Sequence, residues 1–118
     1  MAYILAIDDN AVIRDVIKFT LQERHDVTLA NSGEEGISLA EVSQFDLIIT
    51  DINMPEMNGI EFVREIRKNK KHVSTPILVL TANLEDHKDE IKDSGATGWI
   101  LKPFEPKKLL ETIAEVLK

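Results

Sequence analysis

Three stretches of this chain are apolar at consecutive positions rather than at alternate ones: Tyr3-Ile4-Leu5-Ala6-Ile7, Leu47-Ile48-Ile49 and Ile77-Leu78-Val79-Leu80. Strands of that kind must be covered on both faces, which a parallel sheet flanked by helices achieves and a one-sided antiparallel sheet does not. Each run also stops at a polar residue: Asp8-Asp9 after the first, Thr50-Asp51 after the second, Thr81 after the third. Thr97-Gly98-Trp99-Ile100-Leu101 reads as a further strand that ends in Lys102-Pro103, and the more alternating Asp26–Ala30 reads as a strand at a sheet edge.

Helical periodicity fills the intervals. Asn10 is a plausible N-cap, followed by Val12, Ile13, Val16, Ile17, Thr20 and Leu21 on one face and Arg14, Asp15, Lys18 and Glu23 on the other. Ser32 and Glu35 have capping-box spacing and open a second helix that runs to about Val42. A Pro/Gly-rich turn, Met54–Gly59, precedes a third helix marked by Ile60, Val63 and Ile66. Lys68, Lys70, Lys71 and His72 crowd its end, where cations suit the negative pole of the helix dipole. Leu84 to Ser94 is a polar helix with few apolar anchors, closed by Gly95. Pro106 begins the last helix, with Leu109, Leu110, Ile113, Val116 and Leu117 predicted to face inward. His25, His72 and His87 are predicted at the surface.

Five strands alternating with five helices over short connections specify an α/β fold with a doubly wound parallel sheet. At 118 residues, residues 1–118 are expected to form a single domain without repeats or linkers. The net charge of −7 argues against nucleic-acid binding, which needs a basic surface. No apolar run approaches the roughly 20 residues of a membrane span. Met1-Ala2-Tyr3 offers no basic region of a signal peptide, and the absence of cysteine fits a cytoplasmic protein.

In a parallel sheet the strand ends meet at one edge, where open α/β folds place their sites. Asp8, Asp9, Asp51, Thr81 and Lys102 are therefore expected together. A single Asp after a strand is ordinarily a turn residue or a cap; five such residues, each at the end of its own strand, are a different matter. Three carboxylates in one place repel and desolvate one another, and call for a cation. With only oxygen ligands on offer, a hard ion such as Mg²⁺ fits. A carboxylate beside Mg²⁺, an ammonium and a hydroxyl meets the needs of phosphoryl transfer, with Asp51 as the nucleophile.

The ordered set Asp8-Asp9, Asp51 with Met54-Pro55 and Gly59, Leu80-Thr81-Ala82, Gly95-Ala96 and Lys102-Pro103-Phe104 resembles the receiver domains of bacterial two-component response regulators. The single-domain, CheY-like chemotaxis type is the nearest in form. The resemblance covers the whole chain and implies a flavodoxin-like sheet of order 2-1-3-4-5. It implies that Asp51 accepts phosphate from the phosphohistidine of a CheA-like histidine kinase. Mg²⁺ would be bound by Asp9, by Asp8 largely through water, by Asp51 and by the Asn53 backbone carbonyl. Thr81 would donate to the phosphoryl group and move toward it, Lys102 would pair with its oxygens, and Lys102-Pro103 would be cis.

The resemblance further implies a monomer whose partner-binding face is residues 84–118, with the flagellar motor switch or another protein as target. Trp99 stands where the family has a Tyr or Phe that changes rotamer; strand packing is the plainer account of a tryptophan there. Asn53 and Asn83 occupy positions that influence dephosphorylation in the family. A phosphorelay intermediate and the receiver of a longer DNA-binding regulator are alternatives within the family. A haloacid-dehalogenase-type phosphatase also uses an aspartate nucleophile, but places a second acid where this chain has Asn53.

Overall fold

The computed structural model describes residues 1–118. Five strands, β1 (Tyr3–Ile7), β2 (Asp26–Ala30), β3 (Leu47–Asp51), β4 (Ile77–Thr81) and β5 (Gly98–Leu101), form one parallel sheet in the order β2-β1-β3-β4-β5. The strands alternate with five helices: α1 (Ala11–Leu21), α2 (Gly33–Val42), α3 (Gly59–Ile66), α4 (Leu84–Ser94) and α5 (Pro106–Val116). This is the doubly wound, flavodoxin-like arrangement expected, with Asp26–Ala30 at an edge.

The continuous apolar runs are explained by the two cores. Leu5, Ile7, Ile48, Ile77 and Val79 pack under α2, α3 and α4, with Phe62, Val63, Ile66 and Ile91. Ile4, Ala6, Leu47, Ile49, Leu78 and Leu80 pack on the other face against α1 and α5, with Ile17, Leu21, Leu109 and Ile113. Successive residues of one strand thus enter opposite cores, which is why the runs are apolar at consecutive positions up to their polar carboxyl ends. No helix is long and apolar enough to cross a membrane.

The helix starts follow the sequence with one variation. Asn10 Oδ1 accepts from the Val12 and Ile13 N–H groups, and Ser32 Oγ accepts from Glu35 N–H. The Glu35 carboxylate returns not to Ser32 but to Asn31 N–H, at 2.6 Å. The fully reciprocal box belongs instead to Asn58 and Glu61, at 2.9 and 3.0 Å.

Two expectations are corrected. The apolar stripe of α1 is wider than its buried face: Ile17 and Leu21 are buried, but Val12 is 67% and Val16 37% exposed, beside Phe19 at 77%. α1 lies against the sheet and α5 along the line Ile13-Ile17-Leu21, so residues a quarter-turn away stay in solvent.

His72 is not at the surface. It is fully buried in a 3-10 turn, Lys70–His72, that follows α3, and its ring stacks on Phe45 with centroids 6.2 Å apart. Its Nε2 faces the Ala40 and Ser43 carbonyls at 3.2 and 3.3 Å, and its Nδ1 faces Thr75 Oγ1 at 3.0 Å. Carbonyls only accept, so Nε2 carries a proton and donates toward them. With Lys71 Nζ donating to the Glu41 carbonyl at 2.6 Å, the turn caps the C-terminus of α2 from outside the helix. A glutamine amide nitrogen reproduces Nε2 better than an asparagine nitrogen does. His72→Asn is therefore expected to lose about 2–4 kcal/mol in urea unfolding, and His72→Gln clearly less; equal losses would contradict the bond assignment.

Candidate functional site

Register brings the strand-end residues together. Ile7 pairs with Thr50 across β1 and β3, which sets Asp8 level with Asp51; Thr81 pairs with Leu101 across β4 and β5, which sets Lys102 just beyond Thr81. Lys102 N–H donates to the Thr81 carbonyl at 2.8 Å, and the Lys102–Pro103 peptide that follows is cis, as expected.

Asp8, Asp9 and Asp51 can each offer a carboxylate oxygen such that all lie within 4.8 Å of one another. Asp8 is fully buried and Asp51 is 6% exposed, whereas Asp9 is open to solvent. Lys102 Nζ lies 3.2 Å from Asp8 Oδ2 and 3.0 Å from Asp51 Oδ1. Asp51 Oδ1 also accepts from Ile52 N–H at 2.9 Å, which leaves Oδ2 as the oxygen without a donor. Asp8 Oδ1 accepts from Asn10 N–H at 2.9 Å.

The electrostatics follow from burial. Desolvation raises the Asp51 carboxyl above its ordinary value, and the nearby Asp8 charge pushes the same way, against the hydrogen bond and charge of Lys102. Burial by itself would lower Lys102. The hydrogen bond and charge of Asp51, followed by those of Asp8, outweigh it and hold the ammonium above its usual range.

One ammonium does not balance three carboxylates, and the donor set contains oxygens and neither sulfur nor imidazole. These residues fit a small hard dication such as Mg²⁺. The Asn53 side chain is exposed, on the turn that leaves Asp51. That turn folds back so closely that a Cβ on Gly59 would sit 2.1 Å from the Asp51 carbonyl oxygen. Glu56, within it, is held at φ 66°, a left-handed conformation costly for a residue with a side chain.

Thr81 is buried, and its Oγ1 accepts from Asn83 N–H at 3.1 Å, which ties the β4 end to the start of α4. Asn83 itself caps α4: its Oδ1 accepts from Asp86 N–H and its Nδ2 donates to Asp86 Oδ2 at 2.8 Å. Trp99 is 38% exposed on edge strand β5 and lines a groove of ≈ 630 Å³ with Phe104, Lys108 and Thr112.

Arg14 was read as a solvent-side residue of α1. It is half-buried and donates from Nη1 to the Asp8 carbonyl at 2.7 Å. The signal was available: helical side chains lean toward the N-terminus, so an early Arg in α1 lies over the turn that carries Asp8 and Asp9. Gly59 was noted in the sequence only as part of a pattern; its steric role needed the fold.

The family model for the response regulator receiver domain matches residues 4–114. The chain is 38% identical over 120 residues to a chemotaxis protein CheY homolog of Campylobacter jejuni, covering 97% of this chain and 91% of that protein. It spans only about half the length of other curated relatives that it matches, 54% and 53% in two cases. The solved structure of the chemotaxis response regulator CheY4 of Vibrio cholerae superposes with a TM-score of 0.95 at 44% identity, covering 99% of each chain. The receiver domain of the sensor histidine kinase PA1611 from Pseudomonas aeruginosa gives 0.92 at 29% identity, covering 98% of this chain and 97% of that one; that structure has a magnesium ion coordinated in its active-site cleft.

Proposed function

The chain belongs to the response regulator receiver domain family, and from that premise we propose that it is a phosphorylation switch whose acceptor is Asp51. The observation that carries this reading is the convergence of Asp8, Asp9 and Asp51 with a lysine that bridges two of them.

Asp51 Oδ2, the oxygen without a donor, attacks the phosphorus of a phosphohistidine on a histidine kinase. The new P–O bond forms as the P–N bond breaks, and the electron pair stays on the imidazole nitrogen. Lys102 and the Thr81 hydroxyl meet the charge on the equatorial oxygens. Asp8, Asp9, Asp51 and the Asn53 carbonyl would hold Mg²⁺, which when bound neutralises charge on the transferring phosphoryl group. The cytoplasm is the compartment that goes with such a donor.

The output is a shift of a pre-existing equilibrium. Thr81 Oγ1 accepts from the residue that caps α4, so a hydroxyl turned toward a phosphoryl group loosens that helix start. α4 is held mainly by Ile91 and Leu84, and it begins the 84–118 face on which a target docks. Residues 1–118 act as a single receiver domain, in chemotaxis or motor control on the strength of the CheY-type relatives. The half-length matches favour a second reading, a receiver that belongs to a longer transcriptional regulator.

The test is a small acyl phosphate donor with intact-mass detection. Wild-type protein with Mg²⁺ is expected to gain one phosphoryl mass. The same sample with a chelator should gain none, because the single ammonium of Lys102 does not balance the three carboxylates. Uptake that ignores the metal would overturn the mechanism.

A further inference from the structure

Arg14 stands out among the polar groups around the site because it touches none of the three carboxylates, yet it contacts the backbone that carries two of them. β1 ends at Ile7, so the Asp8 carbonyl has left the sheet ladder, and no backbone N–H donates to it. The Arg14 guanidinium supplies its hydrogen bond, at 2.7 Å from Nη1. That carbonyl belongs to the peptide joining Asp8 to Asp9, and its plane sets the direction in which Asp9 leaves the chain. The Asp8 side chain is otherwise engaged, by Asn10 N–H and by Lys102. The exposed Asp9 carboxylate has neither a hydrogen-bond partner nor an ion-pair partner to orient it. Its placement therefore depends on the backbone, and the backbone there depends on Arg14.

We propose that Arg14 is a positioning residue for the divalent-cation site: it locks the Asp8–Asp9 peptide so that the Asp9 carboxylate is preorganised beside Asp8 and Asp51. This rests on the Mg²⁺ reading given above. Groups that orient metal ligands without touching the metal characteristically control affinity about 10–100-fold, and this contact is of that kind.

Positioning and simple electrostatics predict opposite signs, which makes the inference decidable. Arg14 is a cation near a cation site, so its charge by itself opposes Mg²⁺; if charge is all that matters, its removal tightens binding. If the hydrogen bond to the Asp8 carbonyl matters more, its removal weakens binding despite the lost repulsion. A residue that only supports folding lowers stability and leaves the Mg²⁺ affinity of the folded protein where it was.

The experiment is Mg²⁺ titration by calorimetry on wild type, Arg14→Met and Arg14→Lys, at a temperature where circular dichroism shows each to be folded. Arg14→Met is expected to bind Mg²⁺ about tenfold more weakly than wild type. Arg14→Lys keeps the charge but lacks the length and planar fork of a guanidinium, and is expected to be weaker than wild type as well. Should Arg14→Met fail to fold, Arg14→Lys decides alone. Affinity equal to or tighter than wild type in the folded variants overturns the positioning role. Absence of Mg²⁺ binding in wild type would instead sink the site reading on which it rests.

Discussion

Asp51→Asn is expected to abolish phosphoryl uptake and, in the same metal-free sample at neutral pH, to make the protein more stable. The two effects have one origin. The amide keeps a carbonyl oxygen for Ile52 N–H and for Lys102, so the hydrogen bonds of Oδ1 survive. The amide loses the nucleophilic lone pairs of a carboxylate and the negative charge buried beside Asp8. Asp51 titrates above its ordinary range because burial, then Asp8, oppose its charged form. An acid whose folded pKa is raised contributes stability that is fully present below its unfolded value and is lost as pH rises through the folded one. At neutral pH that contribution is gone in wild type, while the uncharged amide keeps it at every pH.

A gain of the order of 1 kcal/mol is expected for Asp51→Asn, roughly 3–5 °C in melting temperature for a domain of this size. The gap should close as pH falls into the ordinary carboxylate range, near pH 4. Saturating Mg²⁺ should reverse the order, since ligand binding stabilises only the protein that retains all three carboxylates. Unchanged uptake of phosphate by the variant would remove Asp51 from the mechanism. Lower stability than wild type without metal would mean that the Lys102 pair outweighs burial.

Gly59→Ala is expected to be the most damaging single methyl in the chain, at about 3 kcal/mol or more in urea unfolding. The added Cβ would stand 2.1 Å from the Asp51 carbonyl oxygen, 2.9 Å from its carbon and 3.0 Å from Ile52 Cα. All three are backbone atoms and cannot rotate aside. Relief requires moving the Asp51–Ile52 peptide, which also donates to Asp51 Oδ1 and whose carbonyl oxygen accepts from Thr50 Oγ1 at 3.0 Å. Any folded fraction should therefore take up phosphate more slowly as well.

Gly36→Ala is the control. Its Cβ would meet Ile7 Cδ1 at 2.5 Å and Phe62 Cε1 at 3.0 Å, the ends of side chains that can shift. A loss of about 1–2 kcal/mol is expected there. Gly59→Ala within about 1 kcal/mol of wild type would show that the turn has slack which this geometry does not contain.

Much of this molecule is readable without coordinates. Continuous apolar runs specify strands covered on both sides, and their polar ends specify which residues meet, because parallel strands all point their carboxyl ends the same way. That logic brought Asp8, Asp9, Asp51, Thr81 and Lys102 to one edge while they were still separated by tens of residues. Caps are equally local: Asn10 and Ser32 act where they stand.

What periodicity does not carry is which part of an apolar face finds a partner, and where a long side chain ends. Val12 and Val16 share the stripe with Ile17 but overhang the contact that α1 makes with α5 and the sheet, and so remain in water. His72 looked like one more cation in a basic run; the connection from α3 to β4 turned it inward to cap α2 and stack on Phe45. Asn83, two residues beyond Thr81, has its amide bound to Asp86 at the start of α4, a contact that spacing along the chain does not show.

The strands, the helices and the strand-end members of the site follow from backbone direction and local pattern, and the order of residues carries both. Tertiary structure alone decided how those members are held. Lys102 between Asp8 and Asp51, Gly59 under the Asp51 carbonyl and Arg14 on the Asp8 carbonyl are contacts of two or three ångströms between separate elements. They are set by register and packing, for which a one-dimensional pattern has no coordinate.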